Sequence, residues 1–249
     1  MIASSPTISN IIVIGCGGVA SWLLPPLTKL IDQLEHKPLI WFVDGDTIEE
    51  RNLERQWFSE SDIGRNKAEA MWDKCNSSSE EFYVPQYYTE GALLRAAEDQ
   101  TIVPEGLSLF ICCADNHAAR RAVLAAVDAG QGWAIIAGNE YEEAEAYWYE
   151  RRLKGTACDP RVYYPAILTD HTGDPTAPVG CTGLAAELSP QLVLANFSAA
   201  NHALWLFWHH VVIRHQQGHD YNPQYMPIKN WNYSCKFLSQ NAEQLNTKE

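Results

Sequence analysis

Between Ile11 and Lys67 the chain sets out, in order, the residue types needed to hold a nucleotide. Gly15, Gly17 and Gly18 stand in the turn Gly15-Cys16-Gly17-Gly18-Val19-Ala20, directly after the apolar run Ile11-Ile12-Val13-Ile14. Glycines there permit a tight turn and close backbone approach, so that the amides opening the next helix face a phosphate. Ala20 replaces the usual third glycine and still lets helix and strand pack closely. A second apolar run, Leu39 to Val43, ends in Asp44-Gly45-Asp46, where a carboxylate can accept from ribose hydroxyls. Dinucleotide enzymes share this much. Asn52, Arg55, Gln56 and Lys67 answer a different need: an Arg fork and a compact Lys charge suit a triphosphate and a leaving pyrophosphate. Farther along, Ile111-Cys112-Cys113-Ala114 delivers Asp115 and Asn116 to the carboxyl edge of a sheet, where ligands collect in open α/β folds. Asp115 there is a natural magnesium ligand.

Placing these groups on one edge requires strands that alternate with helices. The apolar runs predict strands near 10–15, 39–44, 81–87, 108–113 and 133–137, with helices near 18–35, 65–76, 90–98 and 116–129. The fold class is therefore α/β, Rossmann-like and doubly wound, with a mostly parallel sheet. Residues 142–149 alternate faces as a strand, or continue a helix through their Glu and Ala; the Gly138-Asn139 turn favours the strand. From Gly155 to Pro178 the composition shifts to Gly, Pro, Asp and Thr, which predicts a long loop. Residues 189–213 read as an apolar, aromatic-rich helix, either a core helix or a dimer seam. A strand-like piece at 228–238 and a polar tail at 239–249 complete a single expected domain over 1–238.

Composition narrows the function classes. The formal charge of -13 and only 18 Lys plus Arg argue against a nucleic-acid footprint. No apolar run reaches the roughly 18 residues needed to cross a bilayer, and the N-terminus lacks the pattern of a signal peptide. Seven cysteines at irregular positions, without a C-x-x-C pair, suit a reducing cytoplasm and give no structural zinc site.

At the motif residues the chain resembles the ThiF/MoeB family, relatives of the ubiquitin-activating enzymes, over about Ile11 to His202. The resemblance is carried by the G-x-G-G turn at Gly15, Asp44 and Asp46, the N-L-x-R-Q run from Asn52 to Gln56, I-G-x-x-K from Ile63 to Lys67, and Asp115-Asn116 followed by Arg120. It implies ATP-dependent adenylation of the C-terminal carboxylate of a ubiquitin-like or other small protein or peptide, with ATP and Mg²⁺ as cofactors and a homodimer as the assembly. By the same resemblance Asp44 and Asp46 flank the ribose and magnesium region, Arg55 and Lys67 hold phosphates, and Asp115 binds Mg²⁺. The spacing is also similar to the stand-alone ThiF-like proteins of PRTRC gene clusters. In two respects the chain departs from the family. It has no pair of C-x-x-C motifs, and no Arg precedes Arg51 to reach a partner subunit's site.

Cys181, after the long loop, resembles the crossover-loop cysteine of members that link covalently to their partner, and a thiolate there would attack an acyl-adenylate. An incidental buried cysteine is the other reading. Cys158 is the alternative thiol; Cys16, Cys112 and Cys113 read as apolar filler. Glu140, Glu142, Glu143 and Glu145 read as a solvated face, Trp205, Phe207 and Trp208 as core or interface, and His209-His210 as flanking the late helix. Two further functions compete with adenylation. A nicotinamide-dependent oxidoreductase explains Asp44 but leaves Arg55, Gln56 and Lys67 idle, and an inactive scaffold leaves the whole polar set unexplained.

Overall fold

The computed structural model describes residues 8–75, 81–88, 105–139, 143–171, 193–213 and 233–234. Strands β1 (Ile8–Ile14), β2 (Leu39–Val43), β3 (Glu81–Val84), β4 (Leu107–Cys112), β5 (Gly132–Asn139), β6 (Ala144–Glu150) and β7 (Tyr233–Ser234) form one sheet in the order β3-β2-β1-β4-β5-β6-β7. Pairings among β1 to β5 are parallel, and β6 and β7 add antiparallel strands at one edge. The order reverses beside β1, which pairs with both β2 and β4. That reversal leaves a crevice at the carboxyl ends of the strands, the place where such sheets hold ligands.

Each central strand reads as unbroken apolar sequence because both faces are covered. Ile11 and Val13 of β1, with Ile40 and Phe42 of β2, enter one core; Ile12 and Ile14, with Trp41 and Val43, enter the other. Helices α1 (Gly18–Ile31) and α2 (Lys67–Cys75) cover the first face and α3 (His117–Asp128) the second. Helix α2 starts where it does because Asn66 Oδ1 accepts the N–H groups of Ala68 and Glu69, at 2.9 and 3.2 Å. Asn116 caps α3 in the same way, accepting from Ala119 at 2.9 Å.

The segment left between strand and helix is a strand, β6, with Tyr147, Trp148 and Tyr149 all buried. A helix could not cover both faces with this tripeptide, whereas β6 sends Trp148 into one core and Tyr147 and Tyr149 into the other. The expected long loop is corrected over its described part. Residues 155–171 contain two helical turns, α4 (Pro160–Tyr163) and α5 (Ala166–Thr169). Asp159 accepts the Arg161 N–H at 3.0 Å with Pro160 in the first turn, a helix start that the Asp-Pro dipeptide announces. Arg121 of α3 holds α5 down by donating to the carbonyls of Ile167 and Asp170 at 2.9 and 3.0 Å. The late helix, α6 (Val193–Phe207), continues in wider π-type turns through Trp208–Ile213. His210, read as flanking this helix, lies within its π-type turns and stacks on Trp148, ring centres 4.1 Å apart. The expected helix at 90–98 and the tail at 239–249 lie outside the described residues.

Candidate functional site

Strand β1 ends at Gly15, whose φ of +83° favours glycine. Its N–H donates to the Val43 carbonyl at 2.8 Å, while the Cys113 N–H donates to the Ile14 carbonyl at 2.8 Å. The turn is thus tied to the ends of both neighbouring strands. A Cβ on Gly15 would lie 2.8 Å from the Ala114 nitrogen, so backbone meets backbone at the switch point. Gly17 precedes α1, and the positive end of that helix opens on the crevice.

Asp44 fixes this turn. One of its oxygens accepts the Cys16 N–H at 2.6 Å and the other accepts the Asp46 N–H at 2.8 Å. Burial pushes its carboxyl up to about 6, with Lys67 opposing and Asp46 adding to the rise. The sequence assigned Asp44 to ribose, but much of its hydrogen-bonding capacity already serves the backbone. Lys67 Nζ donates to Asp46 at 3.0 Å and is nearly covered. Burial opposes its charge, yet Asp44 and Asp46 hold the ammonium above its ordinary value, with Asp115 contributing. Tyr87 donates its hydroxyl to Asp46 and lays its ring over Gly45, where a Cβ would meet ring atoms at 2.8 Å. The glycine between the aspartates therefore makes room for an aromatic ring.

Asn52 Oδ1 accepts the Glu49 N–H at 2.9 Å, which gives it a turn-closing role beside its place in the cleft wall. Arg55 is half-buried and borders the same cleft. Gln56 is buried, lies against Gly17, and its Oε1 has no hydrogen-bond partner among the described residues. A buried carbonyl oxygen without a donor is costly, and a ligand donor or a water would relieve it.

These groups line one cleft of about 1020 Å³. Gly15, Gly17, Gly18, Asp44, Asp46 and Asn52 border it together with Arg55, Gln56, Lys67, Asp115 and Asn116. The structure thereby brings into one cleft every residue that the sequence offered for the nucleotide, while Cys181, the candidate nucleophile, lies outside the described residues. Cys158 is half-buried and not among the lining residues. Cys16 and Cys112 are fully buried, and burial raises both thiols, in keeping with filler. Glu143 and Glu145, read as part of a solvated face, instead border the cleft, and Glu145 accepts the Tyr164 hydroxyl.

Sequence reasoning also missed Tyr87, Tyr88, Asn139 and Tyr164 as lining residues. Arg120, carried only by the family resemblance, projects beneath Gly138, where a Cβ would lie 2.9 Å from its Nη2. No local motif marks the tyrosines, because strand ends and helical turns far apart in sequence bring them in. Among the described residues no group of three or more metal-ligating side chains occurs. A resident metal cage does not fit these side chains. A magnesium ion arriving on phosphates needs only one or two protein carboxylates, and the exposed Asp115 fits that role.

Comparisons with known proteins agree with this fold. The solved structure of E. coli MccB with ATP superposes with a TM-score of 0.54 at 22% identity, covering 83% of this chain and 55% of that one. E. coli MccB with MccA gives 0.52 at 22% identity, with 83% and 55% covered. PaaA gives 0.51 at 16% identity, again with 83% and 55% covered. The chain spans about half the length of these proteins, and the likeness shows the fold. No curated protein matches the sequence. The ThiF family model matches residues 7–142, more than half of the chain and the whole glycine-to-Asn116 site, so the chain belongs to the ThiF family.

Proposed function

We propose that the chain activates a carboxylate by adenylation with ATP. One observation carries the reading: Arg55, Gln56 and Lys67 share a cleft with the glycine turn and Asp115, a set a nicotinamide site does not use. A carboxylate oxygen attacks the α-phosphorus, the bond to the β-bridging oxygen breaks, and pyrophosphate leaves with its electron pair. The nucleophile is already an anion, so no general base is needed. The Arg55 fork and the helix N-terminus take up phosphate charge, and Lys67 shifts from Asp46 toward it. Asp115 would hold Mg²⁺, which supplies charge neutralisation on the phosphates when bound. MccB has been solved with ATP, which supports ATP as this chain's nucleotide.

The substrate assigned to this site is a peptide or small ubiquitin-like protein with a free C-terminus. The test is ATP–pyrophosphate exchange with candidate peptides carrying either a free or an amidated C-terminus. Exchange with the free forms alone supports the reading; exchange with both contradicts it. A thioester step through Cys181 extends the proposal. It requires a reductant-sensitive adduct that Cys181→Ala abolishes and Cys158→Ala leaves. Homodimerisation through α6 is supported by the exposure of Leu194, Phe197 and Trp205, and light scattering on the eluting protein tests it.

A further inference from the structure

Helix α6 lies beyond the residues that the family model matches and packs on α1, β5 and β6. It carries Asn196, whose side chain is 0% exposed. Burial of an amide is unfavourable unless its polar atoms are engaged, so the contacts of this one bear on its role. Nδ2 donates to the Arg55 carbonyl at 3.1 Å. Oδ1 has no hydrogen-bond partner among the described residues and presses on Gly18, where a Cβ would lie 2.6 Å away. The Arg55 carbonyl also accepts from Trp22 Nε1 at 3.2 Å, and the next peptide but one, Trp57, donates its N–H to Ser21 at 3.1 Å. Trp22 and Ser21 stand on α1, the helix that the glycine turn opens. The backbone of Arg55 is thus clamped between α1 and α6, with Asn196 touching the glycine turn on one side and Arg55 on the other.

We propose that Asn196 is a positioning residue for the phosphate grip, setting the separation between the Gly17-Gly18 amides and the Arg55 guanidinium. The inference rests on the ATP reading above. A leucine would fill the same space without an unsatisfied oxygen, so packing alone gives no reason for an amide here. Gly18 and Asn196 also depend on one another, since no side chain fits at 18 while the amide stands where it does.

The test is titration calorimetry of Mg·ATP and of adenosine on the full chain and on Asn196→Ala, Arg55→Ala, the double variant and Trp22→Phe, with urea midpoints as the control for folding. Asn196→Ala is expected to weaken Mg·ATP about tenfold and adenosine less than twofold, since adenosine has no phosphate for Arg55 to hold. In the Arg55→Ala background the same change should add less than about twofold. Trp22→Phe removes the other donor to the same carbonyl and should weaken Mg·ATP in the same direction. Asn196→Leu, which fills the same space without the donor and is titrated in the same way with the same expected losses, carries the test if Asn196→Ala does not fold. Equal losses for Mg·ATP and adenosine, full additivity with Arg55→Ala, or unchanged Mg·ATP affinity in a folded variant would overturn the role. If wild type binds Mg·ATP and Arg55→Ala weakens it while Asn196→Ala does not, this inference falls and the nucleotide reading stands. If wild type binds no Mg·ATP, both fall.

Discussion

Gly15 and Gly64 make a matched pair for measuring how closely β1 and β4 approach beneath the nucleotide. Both have a left-handed backbone, φ +83° and +85°, so an alanine at either position meets nearly the same conformational penalty, roughly 1–2 kcal/mol. They differ in what surrounds them. Nothing lies within 4 Å of a Cβ built on Gly64, whereas one on Gly15 would meet the Ala114 backbone at 2.8 and 2.9 Å, contacts that no rotamer can relieve. Overpacking of this kind costs about 1–3 kcal/mol. Gly64→Ala should therefore lose about 1–2 kcal/mol and Gly15→Ala about 2–5 kcal/mol in urea unfolding. Because the extra strain falls on the turn that presents amides to phosphate, Gly15→Ala should also weaken Mg·ATP, while Gly64→Ala should leave it within twofold. Equal destabilisation by the two alanines would refute the close approach of the strands. Equal and unchanged ATP affinity would refute the placement of phosphate at the turn.

Lys67→Met should remove the cation that restrains Asp44, so the Asp44 carboxyl should titrate higher than its wild-type value of about 6; carboxyl NMR reads this, and an unmoved titration contradicts the coupling. Asp44 has a raised carboxyl, so the stability it contributes is fully present below the unfolded value near 4 and is lost as pH rises through about 6, about 3 kcal/mol by linkage. Asp128 behaves oppositely. Burial pulls its carboxyl up, but Arg161, Tyr149 and Lys154 hold it down at about 2, so its contribution is present above about 4 and lost as pH falls through about 2. Arg161→Ala, which breaks contacts of 2.7 Å to Asp128 and 2.9 Å to Asp159, should cost about 2–4 kcal/mol at neutral pH and shrink that acid limb. Acid unfolding profiles of wild type and variant that superpose would contradict this. Arg55→Ala and Lys67→Ala should each depress partner-dependent pyrophosphate exchange by about 10²-fold, the scale for losing a placed electrostatic group; unchanged rates in folded variants exclude those roles.

The parallel sheet was legible because strands covered on both faces leave unbroken apolar runs, as at Ile11–Ile14 and Leu39–Val43. Chain order then carried the candidate site. Gly15, Asp44 and Lys67 each follow a strand or open a helix, so local sequence indicates that they gather at one edge. Other features depend on distance along the chain. Asn196 meets Arg55 across 141 residues, and nothing around Asn196 announces it. Tyr87 reaches Asp46 across 41 residues and explains Gly45 only once the two are side by side. Glu145 alternates with buried neighbours as any strand residue on a half-covered face would, so its place on the cleft follows from the antiparallel pairing with β5 rather than from its own surroundings. Asp159-Pro160 is a helix-start dipeptide, yet the Gly, Pro, Asp and Thr around it made 155–178 read as a loop.

Calorimetric titration of the full chain and of Arg55→Ala with Mg·ATP and, separately, with NADH bears most directly on the nucleotide reading. Wild type should bind Mg·ATP and not NADH, and Arg55→Ala should weaken Mg·ATP by about tenfold or more, as loss of a charge-assisted phosphate contact requires. Tight NADH binding with no ATP signal would contradict the assignment of Arg55, Gln56 and Lys67 to a triphosphate and return the glycine turn to a dinucleotide.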